Sequence, residues 1–220
     1  MQTHPTTRCQ NRRRGFTLVE LLTVIAVISV LITAGAIGIN NLSGGNSTTS
    51  AVTQSEAIFN YARQVAVANN TQSRVLVSKS RGRERHTDDL RRLLVVHRDP
   101  DNGTWQLSDR GEILPSDVFF SQQFSRHNSG PIPYEVMSDL PRAFQGEYFY
   151  YEFNSEGVSA IPGAGFVVGS GVWPPNQPEP RVRRAGERDF AGFVVWRNGR
   201  TSLYRSPSQI PNLPTTVTTF

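Results

Sequence analysis

The residues able to do chemistry are few, and their spacing matches no reaction centre. Beyond residue 40 the chain carries His86, His97 and His127 and no cysteine. These histidines stand in no compact pattern with carboxylates of the kind a metal site needs. Ser170 lies in Gly169-Ser170-Gly171, which is not the G-x-S-x-G turn that presents a nucleophilic serine. Gly163, Gly165 and Gly169 lack the spacing and the following helical run of a nucleotide-binding loop, and read as strand or loop glycines. No catalytic residue, metal ligand or cofactor is expected. The one conspicuous group is Glu20, a carboxylate set inside the apolar run that follows Arg12-Arg13-Arg14-Gly15. At the centre of a helix in hydrocarbon such a group costs about 2.5 to 3.5 kcal/mol, and less near an interface.

From Phe16 to Ile39 Glu20 is the only residue that can carry a charge. At 1.5 Å per residue the run makes a helix of about 36 Å, enough for a hydrocarbon core of about 30 Å, so one spanning helix is expected over 16–39. It is longer than the apolar core of a secretory signal, and only Ala34-Gly35-Ala36 offers a small-x-small cleavage pattern, so the segment reads as a retained anchor. The formal net charge is +5, but Arg8, Arg12, Arg13 and Arg14 all precede Phe16 and leave +1 for the remainder. Arginines on one flank and the neutral Asn40-Asn41-Leu42-Ser43-Gly44-Gly45-Asn46 on the other place the N-terminus in the cytoplasm and the following domain outside it. The single cysteine, Cys9, precedes the apolar run and so does not fit a lipoprotein signal; it also rules out an intrachain disulfide.

The stretch Arg12-Arg13-Arg14-Gly15-Phe16-Thr17-Leu18-Val19-Glu20-Leu21-Leu22 closely resembles the class III signal of type IV pilins and type II secretion pseudopilins. The resemblance implies that a prepilin peptidase cuts after Gly15, that Phe16 becomes an N-methylated terminus, and that Glu20 stands at mature position five. It also implies a helix that is first a membrane span and later the packing core of a filament. The chemistry of Glu20 agrees. Cleavage would give Phe16 a charged amine about one helical turn away, and an amine–carboxylate pair between neighbouring subunits lowers the cost of burying either charge and sets their axial register. A carboxylate is also favoured in the first turns of a helix. Many major pilins carry a mid-helix proline; this chain has Ile37 there and no proline in the run, which favours a minor subunit.

The elements that must carry this segment follow. Residues 40–52 read as a flexible joint, rich in Gly, Ser, Thr and Asn. Ala51, Ser55, Ile58, Ala62, Val65 and Ala66 recur at three- and four-residue intervals and predict a helix over 53–68 that covers a sheet, with Glu56, Arg63 and Gln64 facing water or an adjoining surface. Strands are expected at 74–78, at 93–99, around Trp105, at 118–121 and at 190–196, with a turn at Asp109-Arg110-Gly111 and an Asn198-Gly199 hairpin into 201–204. Four prolines keep 174–180 out of a central strand, and 206–220 reads as an irregular tail. Tyr61 to Asn70, Leu114-Pro115, Tyr151 to Gly157 and Gly192 to Arg200 resemble the H-type minor pseudopilins of type II secretion and related minor pilins. The expected class is α+β and pilin-like, a long N-terminal transmembrane helix followed by a small β-rich domain. Its segments are a leader at 1–15, a span at 16–39, the joint, and an exported domain at 53–220.

Charge is polarised along that domain. Residues 111–180 hold eight acids against two arginines, and 181–205 hold seven arginines against Glu187 and Asp189. Two clusters, Arg81, Arg83, Arg85, Arg91 and Arg92, and Arg181, Arg183, Arg184 and Arg188, could contact an anionic partner such as nucleic acid phosphates. Nearby Asp88, Asp89, Glu187 and Asp189 weaken that potential, and nucleic acid is the disfavoured partner. The resemblance implies a non-enzymatic minor pseudopilin that supports export of proteins across the outer membrane. It would be held in the inner membrane by a single pass, with a periplasmic C-terminal domain and a place in a periplasmic pseudopilus. The implied partners are the prepilin peptidase, other pilin or pseudopilin subunits, the inner-membrane assembly platform and the lipid bilayer. The alternatives are a DNA-binding minor type IV pilin and a membrane-tethered hydrolase, for which no motif stands.

Overall fold

The fold was obtained as a computed structural model. It describes residues 18–79, 87–128, 130–175, 177, 179–182, 189–214, 216–217 and 220, with the side chains of residue 30 and residues 32–46 outside the description. The chain divides into two compact units, Met1–Leu42 and Ser43–Phe220. Helical backbone runs over Leu18–Ala68 (α1) and has Glu20 in its first turn. Residues 40–52, which read in sequence as a joint, fall inside it.

In the first unit α1 is built of Leu, Val, Ile and Ala, with Thr23 donating to the Glu20 carbonyl at 2.9 Å and Ser29 to the Ile25 carbonyl at 2.8 Å. Both hydroxyls thus bond back to the preceding turn of the helix. Its apolar side chains from Leu18 to Ile28, and Leu31, are exposed. The expected spanning helix is corrected here: among the described residues no helix is long and apolar enough to cross a membrane. The described apolar stretch, 18–29 with Leu31, comes to roughly 20 Å at 1.5 Å per residue, short of the ~30 Å of hydrocarbon. A transmembrane helix, a single inner-membrane pass with cytoplasmic N-terminus, and the periplasmic placement derived from it are therefore not supported.

In the second unit α1 buries one stripe, Ala51, Val52, Ser55, Ile58, Phe59, Ala62, Val65 and Ala66, at the spacing the sequence predicts. Small residues at 51, 55, 62 and 66 let the backbone approach the sheets, and Ser55 satisfies its hydroxyl on the Ala51 carbonyl at 2.7 Å. The helix stops at Asn69-Asn70: Asn70 takes a left-handed φ of 48°, and Thr71 N–H donates to the Ala66 carbonyl at 3.1 Å, closing the last carbonyls as a C-terminal cap does.

Among the described residues twelve strands follow: β1 (Ser73–Ser78), β2 (Arg92–Arg98), β3 (Trp105–Ile113), β4 (Val118–Phe120), β5 (Arg126–His127), β6 (Gly130–Pro131), β7 (Tyr134–Met137), β8 (Gly146–Phe153), β9 (Ala164–Val172), β10 (Arg181–Val182), β11 (Phe190–Val195) and β12 (Thr201–Leu203). One antiparallel sheet has the order β3-β2-β1-β8-β7; a second has the order β10-β9-β11-β12 with β4 also on β9; β5 and β6 pair by themselves. The fold is α+β with a β-rich domain. The expected strands at 74–78, 93–99, 118–121, 190–196 and 201–204 correspond to β1, β2, β4, β11 and β12. The expected turn at Asp109-Arg110-Gly111 lies instead within β3, where the β2–β3 register shifts between Leu93 and Val96. It is a bulge, with Gly111 at φ +67°.

Phe59 joins the layers. Its ring centroid lies 4.9 Å from Tyr151 and 6.4 Å from Phe153 on the first sheet, and 5.3 Å from Phe166 and 5.0 Å from Phe193 on the second. All four contacts are edge-on, the arrangement that ring quadrupoles favour. A smaller cluster, Leu76, Leu94, Val96, Met137, Leu140 and Tyr148, covers the opposite face of the first sheet. Beside it Arg74 is sandwiched between Trp105 and Tyr150 at 4.2 and 4.1 Å, with Glu152 at 2.6 Å and Glu135 at 2.5 Å.

Candidate processing and assembly site

The sequence places the site at residues 15–20. Gly15 and Phe16 lie outside the described residues; Glu20 is exposed in the first turn of α1. There the unpaired N–H groups of the helix start favour a negative side chain, and the apolar residues that follow leave it the sole acid of that segment. The chemistry available to such a carboxylate is charge pairing, which strengthens only when the pair is removed from water.

Of the second candidate, the arginine loops, Arg91, Arg92 and Arg181 lie among the described residues. Arg181 sits exposed on β10 and donates to the Gln177 amide oxygen at 3.3 Å. Arg183, Arg184 and Arg188 lie outside the described residues, as do Arg81, Arg83 and Arg85. Arg91 and Arg92 are committed to the fold. Arg91 reaches the carbonyls of Leu114 at 2.6 Å, Pro115 at 3.1 Å and Thr87 at 2.9 Å, and Arg92 grips the Asp88 carboxylate. Burial would raise the Asp88 carboxyl, but the hydrogen bonds from Arg92 and Thr87 and the charges of Arg92 and Arg91 outweigh it and hold the group below the usual carboxylate range. Asp189, expected to soften the late arginine loop, accepts a hydrogen bond from Thr48 at 2.8 Å.

The sequence leaves open whether Glu56 and Arg63 face water or an adjoining surface, and the structure places both against the domain. Glu56 accepts from Thr201 at 2.5 Å and Arg63 donates to the Gly157 carbonyl at 3.3 Å. The exposed stripe that remains, Thr53, Ala57, Asn60, Tyr61, Gln64, Val67 and Ala68, carries no charge. Three- and four-residue spacing puts these residues on one side, but the spacing alone does not say that Glu56 and Arg63 fold back. Among the described residues no group of three or more His, Cys, Asp or Glu is placed to hold a metal ion; His97 instead shares a hydrogen bond with Ser108 at 2.8 Å.

Residues 10–36 match the family described as the prokaryotic N-terminal methylation motif, the segment that holds Gly15, Phe16 and Glu20. Over most of its length the chain is similar to type IV minor pilins and minor pseudopilins of known structure. The type IV minor pilin FimU of Pseudomonas aeruginosa shares 15% identity, covering 76% of this chain and 94% of that one, with a TM-score of 0.41. The minor pseudopilin EpsH from the type 2 secretion system of Vibrio cholerae shares 12% identity, covering 72% of this chain and 96% of that one, with a TM-score of 0.40. No curated protein matches.

Proposed function

We propose that the chain is a minor pseudopilin, a structural and assembly subunit of a type II secretion pseudopilus that supports export of proteins across the outer membrane. The supporting observation is the methylation-motif match over residues 10–36, with Gly15, Phe16 and Glu20 at the offsets that processing and assembly need. In this reading residues 1–15 are a leader, prepilin peptidase cuts at Gly15/Phe16, and Phe16 is N-methylated. Glu20 then pairs with the new amine of a neighbouring subunit, and the apolar side chains exposed from Leu18 to Ile28 and at Leu31 are covered by the helices of its neighbours. The subunit performs no reaction. Mass spectrometry of the protein from its own cells should find a methylated Phe16 terminus; a Met1 terminus, or any terminus other than Phe16, overturns the reading. Glu20→Ala should leave that terminus intact and lower recovery of the subunit in sheared fibres at least tenfold, as loss of a desolvated charge pair predicts.

A further inference from the structure

The segment after β12 reads in sequence as an irregular tail, yet Ile210, Val217 and Phe220 are each buried in the main core. Strand register explains the seat of Phe220. Phe119 on β4 pairs with Gly169 on β9, and Gly169 pairs with Phe190 on β11, so the three residues stand in one row on one face of the second sheet. The glycine leaves a gap between two phenylalanines, and Gly171 lies two residues further along the same face. Phe220 fills the gap, with ring centroids 5.9 Å from Phe119 and 5.4 Å from Phe190. A Cβ on Gly169 would come within 2.5 Å of the Phe190 ring and 2.9 Å of the Phe220 ring, and one on Gly171 within 2.6 Å of the Phe220 ring, so Phe190 and Phe220 share the space the two glycines leave.

The partly buried Leu213 packs against the same core. Among the described residues from Ser206 onward, every backbone hydrogen bond closes within the segment: Gln209 N–H to the Ser206 carbonyl, Ile210 N–H to Pro207 and Leu213 N–H to Ile210. Each strand, by contrast, is tied by ladder bonds to its neighbours. Three buried anchors must offset the ordering of all the residues between them, and these two quantities are of the same order. A region with apolar anchors but no ladder opens at lower free energy than the sheet beneath it.

We propose that the segment anchored by Ile210, Val217 and Phe220 is a displaceable strap, which undocks as a unit while β9 and β11 stay folded and so opens an aromatic slot on the second sheet. Thiol labelling of the full chain tests this, in a Cys9→Ser background that removes the native cysteine. Val217→Cys reports strap opening; Val167→Cys on β9 reports opening of the sheet, with Ala164→Cys as a second control, since both positions are fully buried. The Val217→Cys thiol should react with a disulfide reagent at least about 100-fold faster than the β9 thiol, and Phe220→Ala should speed it at least about tenfold more without changing the β9 rate. Equal rates at the two sites, or parallel acceleration of both by Phe220→Ala, would show that the strap opens only with the whole domain and would overturn the proposal.

Discussion

Asp88 illustrates how one carboxylate is set by opposed effects. Burial disfavours its charge, but Arg92 and Thr87 supply hydrogen bonds and Arg92 and Arg91 supply positive charge, so its folded pKa lies below the ordinary value. A carboxyl depressed by folding adds stability that is present above its unfolded pKa and lost as pH falls through the folded one. Asp88→Asn is therefore expected to destabilise the domain by up to about 1 kcal/mol near pH 7, the scale of a partly exposed pair, and by almost nothing below the folded pKa. Denaturant titrations of both proteins from pH 7 to pH 2.5 check this, and a gap that stays constant with pH would refute it. The same geometry bears on partners. Arg92 is engaged by Asp88 and Arg91 by the carbonyls of Thr87, Leu114 and Pro115, so both guanidiniums already have partners within the fold.

At the scale of elements, the strands rich in β-branched and other apolar residues between turn signals were legible in the sequence: β1, β2, β11 and β12 each lie within a residue or two of the expected bounds. β9 was not. Its run Ala164-Gly165-Phe166-Val167-Val168-Gly169-Ser170-Gly171 is buried on both faces, so no alternation marks it, and its glycines look like loop. β3 was misjudged for a related reason. A glycine after Asp109-Arg110 signals a turn locally, but the neighbouring β2 continues to pair across it, and the extra residue becomes a bulge. At Gly111 φ is +67° and an added Cβ would lie 1.7 Å from the Leu93 carbonyl oxygen. Gly111→Ala should cost about 1 to 3 kcal/mol through strain at that position, read as a lower denaturation midpoint at unchanged slope. A cost below about 0.5 kcal/mol would mean that the bulge relaxes.

At the scale of the molecule, one aromatic contact set joins the two large sheets of the second unit. Phe59 touches both sheets, and Phe166 and Phe193 stack beneath it at 5.0 Å. Phe59→Ala is expected to cost about 3 to 5 kcal/mol in equilibrium unfolding, with both sheets melting together; a loss under about 1 kcal/mol, or two separate transitions, would show that the sheets do not depend on it. The sequence by itself determined the match to the methylation motif, the run in which Glu20 is the only charged residue, the helix that covers the sheets and the strands rich in β-branched residues. Each of these is written in neighbouring residues, where spacing and residue type suffice. Only the tertiary structure decided that Arg91 and Arg92 are spent internally, that Glu56 and Arg63 turn onto the domain, and that Gly111 sits in a bulge. It also decided that the glycines of β9 are the seat of Phe220. These depend on pairs distant in the chain, Gly111 with Leu93 and Gly169 with Phe220, and no local pattern records which distant residue will arrive to fill the space a glycine leaves.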